Sequence, residues 1–268
     1  HGRGLNTVCR SARCPNIGEC WSRRTATFML LGDRCTRHCQ FCSVKHEGEL
    51  LPPEEHESEQ VACAVKELGV RHAVITSVTR DDLEDGGASQ FTACIRAIRA
   101  LNPDVTVEVL TPDFKGDRAS LGVVLEAEPE VFGHNIETVE RLYGEIRGYG
   151  HSYRTSLSLL RCAREMSEST GHTRIKSALM VGHGERKEEV IDTLGDLREA
   201  GCEAVCIGQY LQPTRYQRPL QRYVTPEEFM EYEALAREMG FCFVASGPFV
   251  RSSYMAEQAV TKKVVHLE

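Results

Sequence analysis

The stretch Phe28-Met29-Leu30-Leu31-Gly32-Asp33-Arg34-Cys35-Thr36-Arg37-His38-Cys39-Gln40-Phe41-Cys42 decides how this chain is read. A short apolar run ends at a glycine and hands over to a loop carrying three cysteines spaced Cx3Cx2C. A run that is apolar on both faces suits a strand covered on both sides, as in a parallel sheet. Similar runs recur at 72–78 (HAVITSV), 105–110 (VTVEVL), 131–134 (VFGH), 175–181 (IKSALMV), 204–211 (AVCIGQYL) and 242–245 (CFVA). Helical patterns lie between them. Residues 89–101 set Phe91, Cys94, Ile95, Ile98 and Leu101 on one stripe, and 187–199 do the same with Val190, Ile191, Leu194 and Leu197. Thr225-Pro226-Glu227-Glu228 opens a helix to 239 with an N-cap, a first-turn proline and an acidic third position. Repeated βα units build a (β/α) barrel or an open doubly wound sheet, and in both the chemistry sits at the strand C-terminal ends. The cysteine loop lies at such an end.

Composition narrows the class. The chain has 268 residues, 41% hydrophobic and 26% charged, with 22 Gly and 10 Pro. That excludes a collagen-like fibre and a disordered or low-complexity array. No run of about 18 apolar residues exists to cross a membrane as a helix. The formal charge of −7 argues against a non-specific nucleic-acid binder. Charge is uneven, however: residues 1–46 carry a net +6 and the remaining 222 carry −13. Half of the 12 cysteines fall within residues 9–42. Such clustering reads as metal ligation in a reducing compartment rather than as a disulfide framework. The start at His1 leads us to expect further N-terminal sequence, and Leu267-Glu268 reads as a vector remnant.

Three thiolates on one tight loop can hold three irons of a [4Fe–4S] cluster and leave the fourth open, as a catalytic cluster requires. The alternative is a zinc site completed by His38 or His46. The Cx3Cx2C spacing, with Phe41 before the last cysteine, resembles the radical S-adenosylmethionine (SAM) superfamily. That resemblance implies that the open iron chelates SAM, and that reductive cleavage of SAM yields a 5′-deoxyadenosyl radical.

A second triplet, Cys9-x4-Cys14-x5-Cys20, lies upstream within TVCRSARCPNIGECW at 7–21. By itself a loose triplet binds zinc, a cluster or nothing. With TATFMLLG at 25–32, TSVTRDDLEDGGA at 76–88, HNIETV at 134–139, IGQYLQPTRY at 207–216, RYVTPEEF at 222–229 and GPFVRSSY at 247–254, the chain resembles the lipoyl synthase family almost end to end. The resemblance implies a partial (β/α)6-type TIM barrel of the radical SAM kind with a cysteine-rich N-terminal extension. It implies an N-terminal extension over 1–27, a barrel over 28–245 and a C-terminal segment over 246–268 that closes over an auxiliary cluster. It further implies two [4Fe–4S] clusters, one on Cys35, Cys39 and Cys42 and an auxiliary one on Cys9, Cys14, Cys20 and Ser253. The implied reaction inserts two sulfurs, drawn from the auxiliary cluster, at C6 and C8 of a protein-bound octanoyl-lysine. An unactivated C–H bond is beyond side-chain acids and bases, so cofactor radical chemistry is the available route. On the residues alone, Ser252-Ser253 reads as a helix N-cap pair; only the resemblance makes Ser253 a ligand, a hard and therefore labile one on iron.

Further cofactor contacts are expected from Phe41, from Asp81 after the second strand, and from Asn135 and Glu137 after the fourth, although Asn135 also suits a helix N-cap with Glu137 in the first turn. Arg215 and Tyr216, with Arg251 and Tyr254, line the site or hold the serine. Cys63, Cys94, Cys162, Cys202, Cys206, Cys242 and most histidines, His183 included, read as structural. The 176–186 stretch departs from the family pattern KSGLMVGLGET at Ala178, His183 and Arg186 and keeps Glu185. Implied partners are an octanoylated lipoyl carrier (a lipoyl domain or a glycine-cleavage H-type protein), an electron donor such as a ferredoxin or flavodoxin, and an iron–sulfur carrier for repair, with no nucleic acid and no membrane. The basic N-terminal segment either docks an acidic carrier or balances the anionic clusters. The expected location is the cytoplasm, or the mitochondrial matrix in a eukaryote. Biotin synthase-like and methylthio-transferring enzymes share Cx3Cx2C but should lack the N-terminal triplet and RSSY.

Overall fold

In a computed structural model that describes residues 6–7, 14, 16–148, 150–168 and 173–261, the apolar run at 28–31 is the end of a longer strand in a single eight-stranded sheet. β1 (Asn6–Thr7) lies antiparallel to β2 (Thr25–Leu30), opposite Met29 and Phe28. Six more strands follow in the same order in space as in the chain, all parallel: β3 (His72–Ser77), β4 (Thr106–Leu110), β5 (Val131–Gly133), β6 (Arg174–Val181), β7 (Ala204–Gln209) and β8 (Phe243–Gly247). α1 (Ile17–Ser22) precedes β2. The crossovers are α2 (Glu57–Glu67), α3 (Ala88–Leu101), α4 (Arg118–Leu125), the pair α5 (Glu140–Arg147) and α6 (Tyr153–Ser167), α7 (Lys187–Glu199) and α8 (Pro226–Glu238). Six βα units thus run from β2 to α8, and β8 follows as a seventh parallel strand. Among the described residues β8 does not pair with β2, so the barrel is partial, as expected.

The strands are buried on both faces, which is why they read as continuous apolar runs. β2 begins earlier than its apolar residues suggest because Thr25, Ala26 and Thr27 pair with His72, Ala73 and Val74. The Thr25 hydroxyl is satisfied by the Glu257 carboxylate at 3.1 Å. The expected divisions at 27/28 and 245/246 each fall inside a strand, β2 and β8. After β8 the chain turns back and α9 (Ala256–Thr261) seats Ala259 against Val131, Ala178, Ala204, Cys206 and Phe243, an apolar cluster apart from the helix-covered core. Gly208 permits this approach, since a Cβ there would run into the Val250 carbonyl oxygen.

One ion pair spans the sheet interior. Lys176 of β6 donates to both oxygens of Glu108 of β4, at 2.9 and 3.1 Å, with both side chains 2% exposed. His72 Nε2 lies 3.5 Å from the same carboxylate. Burial alone would raise the Glu108 carboxyl, but Lys176 and His72 together outweigh it and hold it below the usual range. The stabilisation is therefore complete at neutral pH and is lost as pH falls through that lowered value. Glu108→Gln strands the ammonium and is expected to destabilise the fold by about 3–5 kcal/mol, measured by urea denaturation against the wild type.

Candidate active site

Leu31 (φ 67°) and Gly32 (φ 85°) turn the chain out of β2 into the cysteine loop. Glu57, at the start of α2, secures that turn: its two carboxylate oxygens accept from the Leu31 N–H at 3.1 and 3.0 Å. The loop is then stitched to neighbouring strand ends. The Thr36 N–H and hydroxyl both donate to the Thr79 carbonyl after β3, and the Thr36 oxygen accepts from the Asp81 N–H. Cys35 donates to the Lys45 carbonyl and Gln40 to that of Ile146 in α5.

Arg37 anchors the loop. It is buried and uses all five of its N–H groups. Nε and Nη2 grip the Asp81 carboxylate at 2.7 and 2.9 Å. Nη1 and Nη2 grip Asp113, after β4, at 2.7 and 2.6 Å, and the second hydrogen of Nη1 reaches His151 Nδ1 at 2.9 Å. Burial alone would raise the Asp113 carboxyl, yet the guanidinium helps hold it well below the usual carboxylate range. Arg37 thus clamps the cysteine loop across the ends of three adjacent units of the barrel.

The three sulfurs of the loop each lie beside a nitrogen. The Arg37 backbone N–H points at Cys35 Sγ (3.4 Å), the Val44 N–H at Cys42 Sγ (3.5 Å), and His151 Nε2 stands 3.6 Å from Cys39 Sγ. Burial pushes the Cys39 thiol up to about 12 and the Cys42 thiol up as well. Neither stays charged here without a bound cation in place of its proton. The donors at the sulfurs suit thiolates, so the loop fits an iron–sulfur cluster held by three cysteines. Among the described residues, no three or more His, Cys, Asp or Glu side chains converge as a single metal ion requires. Cys39 and Cys42 line an open cleft of about 110 Å³ with His38, Gln40, His46, Tyr216 and Gln217.

The other expected contacts fall as follows. Phe41 packs, partly buried, against the barrel core. Both carboxylate oxygens of Asp81 are engaged by Arg37. Asn135 donates to Glu137 at 3.2 Å, and Glu137 faces Arg147 at 3.7 Å. The helix-start alternative for this pair is wrong, because α5 begins at Glu140 with Val139 in the capping position. Glu137 instead holds a positive φ of 67°, uncommon for a residue with a Cβ, and bridges to β6 through the Ala178 carbonyl and the Met180 N–H. Burial raises its carboxyl, leaving a strained, half-satisfied acid at a strand end. His134, by contrast, is structural: Nδ1 donates to the Thr111 carbonyl, Nε2 accepts from Ser156, and burial holds the ring at about 4. His183 is fully buried with its ring stacked on Tyr210, centroids 4.1 Å apart, and Glu185 accepts from the Gly182 and His183 N–H groups. Of the other cysteines, Cys94, Cys202 and Cys206 are buried, whereas Cys63, Cys162 and Cys242 are half-buried.

A second set of contacts joins the two ends of the chain. The Asn16 amide donates to the Phe249 carbonyl at 2.6 Å, the Tyr254 hydroxyl reaches Glu19 at 3.3 Å, and Arg23 pairs with Glu257 at 3.4 Å. Burial lowers the Arg251 guanidinium while the neighbouring Cys14 opposes the shift. Burial, Glu19 and Cys20 all act on the Tyr254 hydroxyl, which is raised. Ser253 sits in the turn before α9. The segment carrying Cys14 and Cys20 thus runs beside the C-terminal turn, while Cys9 lies outside the described residues. Arg215 stacks over its exposed neighbour Tyr216. The sequence reading missed Asp113, Arg147 and His151, which carry no local motif.

Comparison with known proteins places this geometry. The Radical SAM superfamily profile matches residues 29–197. A lipoyl synthase of Pelodictyon phaeoclathratiforme is 54% identical over 259 residues, 97% of this chain and 86% of that protein. One from Rubrobacter xylanophilus is 54% identical over 257 residues, 96% of this chain and 78% of that protein. Among solved structures, HydG, a maturase of the [FeFe]-hydrogenase, aligns with a TM-score of 0.64 over 88% of this chain and 54% of its own, at 14% identity, a likeness of fold alone. Membership in the superfamily implies an iron–sulfur cluster and SAM, which the cysteine loop suits. With half of its residues shared along nearly the whole length, the chain belongs to the lipoyl synthase family of radical SAM enzymes.

Proposed function

We propose that this chain inserts two sulfur atoms, at C6 and C8, into an octanoyl group carried on a lysine of a lipoyl carrier protein. The observation that carries this reading is the presence of two cysteine sets with separate supports. Cys35, Cys39 and Cys42 lie on the loop clamped by Arg37, whereas Asn16 and Glu19, from the stretch between Cys14 and Cys20, hydrogen-bond Phe249 and Tyr254 of the C-terminal segment. The first set would hold the SAM-binding [4Fe–4S] cluster, and Cys9, Cys14, Cys20 and Ser253 the auxiliary one, under the C-terminal segment 246–268. When bound, these groups supply a 5′-deoxyadenosyl radical that takes hydrogen from an unactivated carbon, and the sulfur that replaces it.

The chain's own residues position and shield. Arg37 keeps the cysteine loop rigid through Asp81 and Asp113. Glu137 and Asn135, after β5, would take polar groups of SAM, with Phe41 as a further contact from the loop and Asp81 acting through its hold on Arg37. A serine oxygen is a hard ligand on iron, so Ser253 would be the labile member of the auxiliary set. A lipoyl domain or glycine-cleavage H-type carrier would dock on the basic segment over 1–46, an interaction expected to weaken with salt. A ferredoxin or flavodoxin would supply electrons, and an iron–sulfur carrier would rebuild the auxiliary cluster. No described helix is long and apolar enough to cross a membrane.

The test is anaerobic. The protein is loaded with iron and sulfide and mixed with SAM, a strong reductant and an octanoyl-lysine peptide or an octanoylated carrier protein. Mass spectrometry is expected to show a product that has gained two sulfurs as the dithiol, and that loses two hydrogens on oxidation to the cyclic disulfide. SAM cleavage with peptide and carrier both unmodified would refute the substrate, and a colourless zinc protein without acid-labile sulfide would refute the cluster chemistry.

A further inference from the structure

We infer that His151 is a positioning residue for the cluster on the cysteine loop: it holds an N–H on the Cys39 sulfur and raises the reduction potential of the group bound there. The inference rests on the proposed cluster at Cys35, Cys39 and Cys42 and adds a residue that the cysteine pattern does not contain.

The tautomer is decided by the neighbours. His151 Nδ1 lies 2.9 Å from Arg37 Nη1 and 3.2 Å from Arg147 Nη2. A guanidinium donates and never accepts, so Nδ1 must be the unprotonated nitrogen of the ring. The single ring proton is then on Nε2, the atom 3.6 Å from Cys39 Sγ. Asp113 does not reverse this, because its nearest oxygen is 3.7 Å from Nδ1 and takes its hydrogen bond from Arg37. The imidazole is 1% exposed, so water does not compete for the proton.

The groups facing the ring form one chain: Asp81 and Asp113 hold Arg37, Arg37 and Arg147 orient His151, and His151 addresses Cys39. The ring comes from the segment between α5 and α6, far along the chain from the loop it touches. The other two sulfurs take their N–H groups from backbone within the loop, at Arg37 and Val44. Cys39 is therefore the one ligand whose donor is a side chain, and the one whose electronics a point substitution can change. A hydrogen bond to a ligand sulfur stabilises the more negative, reduced cluster and raises its potential.

The experiment compares wild type with His151→Gln, which keeps an N–H at similar reach, and His151→Met, which keeps the length and loses the donor. All are loaded with both clusters, and the EPR signal of the reduced cluster that responds to added SAM is titrated against potential. His151→Met is expected to show about a tenfold lower ratio of reduced to oxidised cluster at a fixed poise, a shift of about 59 mV for one electron, with His151→Gln close to wild type. Equal potentials in all three would overturn the inference. Because His151→Met can fail to load, wild-type protein carrying 15N-histidine is measured as well. A 15N coupling in the pulsed EPR spectrum of that cluster supports the contact, and its absence refutes it. Failure of the wild type to form any SAM-responsive cluster would instead sink the proposed function itself.

Discussion

Cys39→Ala is expected to lower SAM cleavage and sulfur insertion together, by at least about 10³-fold, while the protein stays folded. Outer partners of metal ligands typically cost about 10–100-fold when removed, so loss of a ligand itself should exceed that. The fold should survive because the loop is not held by its sulfurs. It is held by the Arg37 clamp on Asp81 and Asp113 and by the backbone bonds of Thr36, Cys35 and Gln40, none of which the substitution touches. Removal of the buried thiol deletes a single atom whose charged form the site disfavours without a cation. The measurement pairs circular dichroism and iron content with the yields of 5′-deoxyadenosine and sulfurated product. SAM cleavage at the wild-type rate would show that the cysteine loop is not the SAM site.

The second large effect divides the two activities. Cys20→Ala and Ser253→Ala are each expected to lower sulfur insertion by at least about 100-fold while leaving SAM cleavage within about threefold, since sites without shared partners behave nearly independently. The structural ground is that the contacts do not overlap. The segment that carries Cys14 and Cys20 is held through Asn16, Glu19 and Arg23, whose partners Phe249, Tyr254 and Glu257 are all C-terminal. Around Cys35, Cys39 and Cys42 they are Thr79, Asp81, Asp113 and His151. Product yield and 5′-deoxyadenosine yield from the same reactions decide the matter. A proportional fall in both would mean that the N-terminal triplet serves the same site as the loop.

How much of this could be read without the fold differs from element to element. α3 and α7 are legible because one apolar stripe at helical spacing lies against the sheet, and α8 because Thr225, Pro226 and Glu228 mark its start, where the structure has a capping box. α2 is not, because its first turn buries Glu57 and Ser58, and Glu57 is there to hold the Leu31 turn. A buried acid breaks a hydrophobic pattern, and only its distant partner explains it. The same holds at Glu137. Asn135 and Glu137 fit a helix start on local grounds, but the bridge to Leu179 of β6 draws the chain into a positive φ and delays the helix to Glu140.

The sequence by itself determined the ligands and the order of the parts. Spacing along the chain sets which sulfurs can share one loop, and the apolar runs before and after it set a parallel sheet with that loop at a strand end. Both are short-range properties, written in neighbouring residues. Tertiary structure decided what surrounds those ligands. Asp113 meets Arg37 across 76 positions and His151 meets Cys39 across 112, and no local pattern announces a contact made only because β4 and α5 end, and α6 begins, on the same side of the barrel. It also decided that the C-terminal turn returns to the N-terminal cysteines, through Asn16 on Phe249 across 233 positions. Such pairs exist because parallel strands carry all their C-terminal ends to one edge of the sheet, where polar groups taken out of water must find partners from whichever crossover lies nearest.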